Sequence, residues 1–526
     1  MRPLRATDRR RLLQLAAAGA IVLGWTGRTG SQPRLRDDPF ALGVASGSPQ
    51  PDSVVLWTRL VDRAGAARSD PAAVPVGWEV AHDERFSQLA QRGEAMAVAE
   101  LAHSVHVEVR GLESDRWYFY RFIAGGIASP TGRTRTLPAA DAIVRQWRIA
   151  YASCQRWEHG YFSAYRHMRA ENPDTVLFLG DYVYEYPTAA GALRVPPGGW
   201  VLTLDDYRRR YALHKGEPDL QAMHAACPWI VTWDDHEVQN DYAGVQAGDS
   251  GPPVADFPAR RAAAYQAFYE HMPVRASALT RAMAGLPAGA EMRMYSGYRF
   301  GRLARLQLLD TRQYRDPQAC TPAGKLGSGV VKPADCATWD DPARTLLGLA
   351  QERWLDEALS VRHDGWSIIA QQTLFGARDL RSAGAPAFWN DGWDGYAAAR
   401  SRLTASVQRH KAADVVLFGG DVHENWVGHV KADYGRPDSA ALGVEFCGTS
   451  LTSRSGTNDK LPQRLAANPH FLFADAERRG YGVAEFTPGQ LTTRLRVVDD
   501  VTRPLTRIET LASFNVQAGR PQVERA

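Results

Sequence analysis

The sequence predicts two folded parts in series: an all-β module at about 40–138 and a larger α/β domain beyond about 145. Three observations carry this. Short β-rich runs separated by turn signals fill the first part. From Arg145 onward, apolar strand-like runs alternate with helix-like stretches. The 526 residues are also too many for a single core, at roughly 100–200 residues per domain. Hydrophobic residues at 44% and charged residues at 23% are ordinary for a globular chain and exclude collagen-like or wholly disordered readings.

Residues 1–36 read as an export signal. Arg9, Arg10 and Arg11 precede a short apolar run from Leu12 to Trp25, below the ~20 residues of a membrane span. The order Arg-Arg followed by two apolar residues resembles a twin-arginine signal, with an ordinary secretory signal or an uncleaved anchor as the alternatives. No A-x-A site and no lipid-attachment Cys follows. The segment holds eight Arg against one Asp, so the formal +4 of the chain becomes a slightly acidic remainder. No basic face is left to predict a nucleic-acid partner.

In the module assigned to 37–138, strands are expected at 53–60, 77–81, 104–110 and 117–123. Val105, Val107 and Val109 alternate with His106, Glu108 and Arg110, the period of a half-buried strand. Leu112 followed by Trp117-Tyr118-Phe119-Tyr120 reads as a tyrosine-corner-like turn of an immunoglobulin or fibronectin-type sandwich.

In the domain assigned to 145–510, strands are expected at 147–152, 175–179, 229–232, 303–309, 367–371 and 415–418. Helices are expected at 161–170, 259–272, 350–362 and 396–410. This alternation implies α/β layering with buried strands. Long Gly/Pro-rich loops at 187–200, 243–258 and 321–342 have the length of loops that serve a site. Residues 511–526 read as a C-terminal tail. Five cysteines are few. Cys320 and Cys336, in a Pro/Gly-rich segment, are the candidate disulfide. Cys154, Cys227 and Cys447 are an odd remainder, so at least one is a free thiol or a ligand.

Four apolar runs end in polar residues able to bind metal: Ser153-Cys154-Gln155, Asp181-Tyr182-Val183-Tyr184-Glu185, Asp234-Asp235-His236-Glu237-Val238-Gln239-Asn240, and Asp421-Val422-His423. In open α/β sheets ligands collect at the carboxyl ends of strands. So many acids cannot crowd together ionised without cations among them. Asp421 and His423, two apart, point the same way from an extended end. Gly419 and Gly420 let the backbone turn closely around a site. Asp181 and Tyr184 share one face of a turn. Thiolate, phenolate, carboxylate and imidazole together suit oxidised iron. Asp235, Glu237 and Asn240 offer only oxygens, which suits calcium or magnesium. Asp181 is placed to bridge both. His236 belongs to the site, or starts a helix capped by Asp234. His236-Glu237 is not a zinc-protease H-E-x-x-H motif, because position 240 is Asn. His410 and His429 are given no role.

Taken in order, ASCQ at 152–155, LGDYVYEY at 179–186, TWDDHEVQND at 232–241, LDTRQYR at 309–315, WDGYAAARSRL at 393–403, GGDVHENW at 419–426 and EFCGTSLTS at 445–453 resemble the PhoD-type alkaline phosphatase/phosphodiesterase family of calcineurin-like metallophosphoesterases. FALGVASGSPQPDSVVLWTRL at 40–60 is similar to the opening of that family's N-terminal sandwich. The resemblance implies a layered αββα catalytic domain. It implies Fe3+ held by Cys154, Asp181, Tyr184, Asp421 and His423, and one or two Ca2+ with Asp181 bridging and Asp235, Glu237 and Asn240 as ligands. How Asp234 and Asp235 divide the work is left open. His236 occupies the place of the histidine facing the phosphoryl group.

The activity implied is hydrolysis of small-molecule or lipid phosphate esters, monoesters and diesters, by a metal-bound hydroxide attacking phosphorus in line. Arg312, Arg400 and Arg454 are candidate phosphate contacts, and the 320–336 segment is expected to shape substrate access. Alternatives are a phospholipase-D-like or nucleotide phosphodiesterase, or a non-catalytic cell-surface binding protein with structural metals. A monomer exported by the twin-arginine machinery is expected.

Overall fold

The computed structural model describes residues 38–62, 68, 70–279, 291–322, 324–381, 384–436 and 438–526. The predicted signal, 1–36, lies outside them. Among the described residues no helix is long and apolar enough to cross a membrane.

Two sheets form the frame. The ten-stranded sheet runs from edge to edge through Glu524–Arg525, Ile508–Gln517, Gln490–Val498, Arg479–Phe486, Trp147–Ala152, Thr175–Leu179, Trp229–Thr232, Val44–Gln50, Ser53–Arg59 and Ser104–Arg110. The seven-stranded sheet runs through Ser296–Phe300, Ala304–Leu308, Trp366–Ala370, Val415–Gly419, Ala441–Cys447, Asn425–Lys431 and Phe471–Asp475. Their inner faces share one core, in which Ile149, Tyr151, Leu177 and Leu179 meet Leu306, Ile368, Phe418 and Phe446. The outer face of the first sheet carries helices Ala164–Ala170, Leu204–Lys215, Pro218–His224 and Phe257–His271. Helices Gly348–Ser360 and Ala397–His410 cover the second sheet. The layers are therefore helix, sheet, sheet, helix. The central strands are buried throughout, which is why they read as continuous apolar runs rather than alternating ones.

The N-terminal module is a sandwich. Strands Val74–Ala81, Leu89–Ala97, Trp117–Ala124, Ile127–Ala128 and Gly132–Arg135 form one sheet. It faces Val44–Gln50, Ser53–Arg59 and Ser104–Arg110 across a core of Val54, Leu56, Val76, Trp78, Val107 and Tyr120. The tyrosine-corner geometry is present: the Glu113 N–H donates to the Tyr118 hydroxyl at 2.9 Å. The module's second sheet does not end at the domain. Gly47 pairs in parallel with Trp229, so that the ten strands belong to both parts. His106, expected on a solvated face, is buried. Its ring stacks on Tyr269 of helix Phe257–His271 with centroids 4.3 Å apart, and Nε2 lies 3.0 Å from the Met272 carbonyl.

Residues 511–526, expected as a tail, are instead part of the sheet. Strand Ile508–Gln517 pairs with Gln490–Val498, and Phe514 and Val516 enter the inter-sheet core. Cys320 and Cys336 form a disulfide with a Cα–Cα distance of 5.7 Å, and Cys154, Cys227 and Cys447 are free and buried.

Candidate metal centre

Strands Trp147–Ala152, Thr175–Leu179 and Trp229–Thr232 are mutually parallel, so residues 153–155, 180–185 and 233–241 leave the sheet at one edge. Strands Ala304–Leu308, Trp366–Ala370, Val415–Gly419 and Ala441–Cys447 are likewise parallel. Their carboxyl ends supply residues around 310, 372, 421 and 450. The two sets meet in a cleft of about 470 Å³, with Asp181, Asp235, His236, Asn240, Asp421 and His423 in its wall.

Tight backbone makes the convergence possible. Cys154, Asp181, Asp421 and His423 all have φ between 57° and 65°. Non-glycine residues rarely adopt this left-handed region, and it concentrates at functional sites. Gly180, at φ 108°, brings the second and third loops together: a Cβ there would sit 2.5 Å from the Asp234 Cβ.

Among the described residues, three groups each have donor atoms within 4.8 Å of one another: Cys154, Asp181 and His423; Asp181, Asp235 and His236; and Asp235, Asp241 and Asp391. Asp181 joins the first two groups and Asp235 the last two. The Tyr184 hydroxyl completes the first group. It donates to Asp181 Oδ2 at 2.8 Å, accepts from Ser453 Oγ at 2.7 Å and lies 3.3 Å from His423 Nε2. His423 Nδ1–H donates to the Arg454 carbonyl at 2.9 Å, which leaves Nε2 with its lone pair. Desolvation holds this imidazole down to about 4, so it is neutral. Burial, then Asp181, pushes the Cys154 thiol up. Burial also pushes up the carboxyls of Asp181 and Asp234, each with neighbouring acids adding to the effect.

His236 Nδ1 lies 2.7 Å from Glu185 Oε2. Glu185 is buried and also accepts from the Asn240 N–H and from Ser250 Oγ, each at 2.8 Å. Burial opposes charge on both members of the pair, but attraction prevails. Asp181 and Glu185 raise His236 well above its usual value, and His236 brings Glu185 down to about 2. Nδ1 is thus committed to Glu185, which leaves Nε2 for the cleft.

Several predicted residues are placed elsewhere. Glu237 is turned to backbone amides and is not among the residues lining the cleft. Its two oxygens accept the backbone N–H groups of Asp181 at 3.2 Å, Tyr182 at 2.6 Å and Asp234 at 2.8 Å, so it ties two loops together. Asp234 lies outside all three donor groups and pairs with Arg312 Nε through one oxygen, whereas Asp235 belongs to two of the groups. Arg312 is not a phosphate contact: fully buried, it is held by Asp234, by Asp391 at 2.5 Å and by Asp235 at 3.5 Å. Arg400, on helix Ala397–His410, pairs with Asp394 at 2.6 Å and is not among the residues lining the cleft. Arg454 acts through its backbone, its carbonyl accepting from His423 while its own N–H donates to His159 Nδ1 at 3.1 Å. Asn240 and Asp421 do line the cleft.

Sequence reasoning missed Asp241 and Asp391, and gave Glu185 no role. Asp241 was within reach as the last residue of TWDDHEVQND. Asp391 lies in a loop outside the quoted motifs, and its place beside Asp235 and Asp241 and its contacts with Arg312 and, at 2.7 Å, Arg315 appear only in the fold.

The donor set fits cations on an observation independent of grouping. Asp181 Oδ1, Asp234 Oδ2 and Asp235 Oδ1 are buried carboxylate oxygens with no hydrogen-bond partner. Orphan acceptors of this kind are costly unless something positive meets them.

The profile of the PhoD-like phosphatase family matches residues 149–495, and that of the PhoD-like phosphatase N-terminal domain matches residues 26–138. The chain is similar to alkaline phosphatase D of Bacillus subtilis (strain 168), 43% identical over 527 residues that span 97% of this chain and 88% of that protein. A solved structure of PhoD, also 43% identical, superposes with a TM-score of 0.87 over 94% of this chain and 93% of that one.

Proposed function

The chain belongs to the PhoD-like phosphatase family, and from that premise we propose how its cleft works as a phosphoester hydrolase. The enzyme is a phosphatase. The reading beyond that point is a metallophosphoesterase of the layered αββα kind, with Fe3+ and Ca2+ as resident cations. Cys154, Asp181, Tyr184 and His423, with Asp421 beside them, would hold the ferric ion. Asp235, Asn240, Asp241 and Asp391 would hold calcium, and Asp181 would reach both. One observation carries this: Asp181 and Asp235 are each shared between two donor groups and each keeps one buried oxygen without a partner.

Bound cations supply Lewis acidity, neutralising charge on the phosphoryl oxygens and acidifying water. The protein supplies the rest. Glu237 fixes the loops carrying Asp181 and Asp234 through three backbone contacts. Arg312 offsets the acids from beneath. Glu185 holds His236 by Nδ1. As a water oxygen bonds to phosphorus with loss of one proton to solvent and the ester P–O bond breaks, His236 would deliver a proton from Nε2 to the departing alkoxide. Export by the twin-arginine route belongs to the same proposal. It is supported by the leader at Arg9–Arg11 and by the Cys320–Cys336 bond, which suits an oxidising compartment.

The test is hydrolysis of p-nitrophenyl phosphate and its bis ester at alkaline pH, with elemental analysis and an absorption scan of the same sample. Iron, calcium and a visible phenolate-to-iron band are expected. Asp181→Ala is expected to lose both metals and turnover. Full activity in that variant overturns the reading, and absence of iron and of the band removes Cys154 and Tyr184 from the ligand set.

A further inference from the structure

A short ribbon pairs the Cys320–Cys336 segment with Trp389, an aromatic residue in the cleft wall. Strand Val330–Val331 pairs antiparallel with Phe388–Trp389, with Val330 opposite Trp389 and Val331 opposite Phe388. Directly opposed residues share a face of the pleat. Val331 and Phe388 face inward onto Cys336 and Trp339. Val330 and Trp389 therefore face out, and they remain 59% and 38% exposed. Trp389 also lines the metal cleft, together with Val422. An indole kept accessible beside so many acids is unlike the other cleft residues, which are nearly all polar.

The ribbon is anchored to the centre rather than draped over it. Ser328 Oγ and N–H both donate to Asp241 Oδ2, the N–H at 3.1 Å. The Gly329 N–H donates to Asn390 Oδ1 at 2.7 Å, and Asn390 Nδ2 donates to the Ala319 carbonyl at 2.7 Å. Asn390 and Asp391 follow Trp389 directly. The position of the indole is thus set by the same residues that build the third donor group.

We propose that Trp389 is a specificity-determining residue: the leaving group of the phosphoester lies against its indole, which favours esters whose leaving group presents a flat aromatic surface near phosphorus over small polyol esters. This rests on the phosphatase reading above. Ring-on-ring contact adds to area burial and is lost on truncation.

The test uses the metal-loaded full-length enzyme. Glycerol phosphate turnover is inhibited with phenylphosphonate and, separately, with methylphosphonate, which differ in the ring alone and have no leaving group to confound reactivity. Trp389→Ala and Trp389→Leu are each expected to weaken phenylphosphonate about tenfold relative to methylphosphonate, and Trp389→Phe to retain most of the preference. The ratio of kcat/KM for phenyl phosphate over glycerol phosphate falls in parallel. A parallel arm with a nucleoside monophosphate in place of phenyl phosphate separates aryl esters from nucleobase-bearing ones. An unchanged inhibitor ratio in both variants, with turnover intact, overturns the proposal while leaving the phosphatase reading standing. No turnover of any ester by the wild type overturns both.

Discussion

Lys215 is a buried base with no carboxylate partner among the described residues. Its ammonium nitrogen lies 3.1 Å from His224 Nε2 and 4.4 Å above the Trp57 ring, and burial lowers its pKa well below the ordinary 10.5. The ring favours charge and the burial opposes it; in so enclosed a site burial decides. Between the lowered value and 10.5 the unfolded chain binds more protons at this position than the native protein, so stability rises with pH through that window. Lys215→Met is expected to raise the melting temperature at pH 7 and to flatten its rise toward pH 10. Thermal unfolding at matched ionic strength checks this. A steeper dependence in the variant contradicts it. Nothing in the string His214-Lys215-Gly216 marks the lysine as buried. Helix Leu204–Lys215 was not expected from the sequence, because its apolar and polar residues share faces.

At the scale of elements, the join between the two parts includes one close backbone approach. Gly47 pairs with Trp229, and a Cβ there would lie 2.6 Å from the Pro273 carbonyl oxygen and 2.7 Å from that of Trp229. Backbone atoms on both sides leave no room to yield. Gly47→Val is expected to cost about 1–3 kcal/mol, read as a lower denaturant midpoint, and to loosen the N-terminal strands first in hydrogen exchange. The strands around this join show what sequence patterns capture. Trp147–Ala152, Thr175–Leu179 and Trp229–Thr232 were predicted to the residue, because a strand buried on both faces is a short apolar block between turn signals. Val44–Gln50, whose sequence is VASGSPQ, was missed. It is a strand because neighbours on either side pair with it, and its own residues favour turns.

For the whole molecule, the cluster of acids is a source of self-repulsion that cations relieve. A ligand bound by the native state alone stabilises it by about 4 kcal/mol at a thousandfold excess over its Kd. Chelation is therefore expected to abolish turnover and to lower the melting temperature by about 5 °C, with both restored by returning iron and calcium. Loss of turnover with no change in melting temperature contradicts the view that these acids need their cations. The same layering explains why residues 152–155, 179–186, 232–241 and 419–426 meet: parallel strands point their carboxyl ends one way.

The sequence by itself determined the order of strand-end bursts, the residue types able to bind metal, the alternation that makes an α/β frame and the family these motifs resemble. All are properties of composition and spacing along one dimension. Only the tertiary structure decided what each group faces. Glu237 and Asp235 stand two apart in one motif, yet one holds backbone amides and the other keeps an orphan oxygen at the centre. Arg312 proved a buried counter-ion to Asp234 and Asp391, each about eighty positions away, and Asp391 a neighbour of Asp235 and Asp241, about 150 positions away. A carboxylate or guanidinium takes its role from the charges and donors around it in space, and these come from strands that the chain brings together only when it folds.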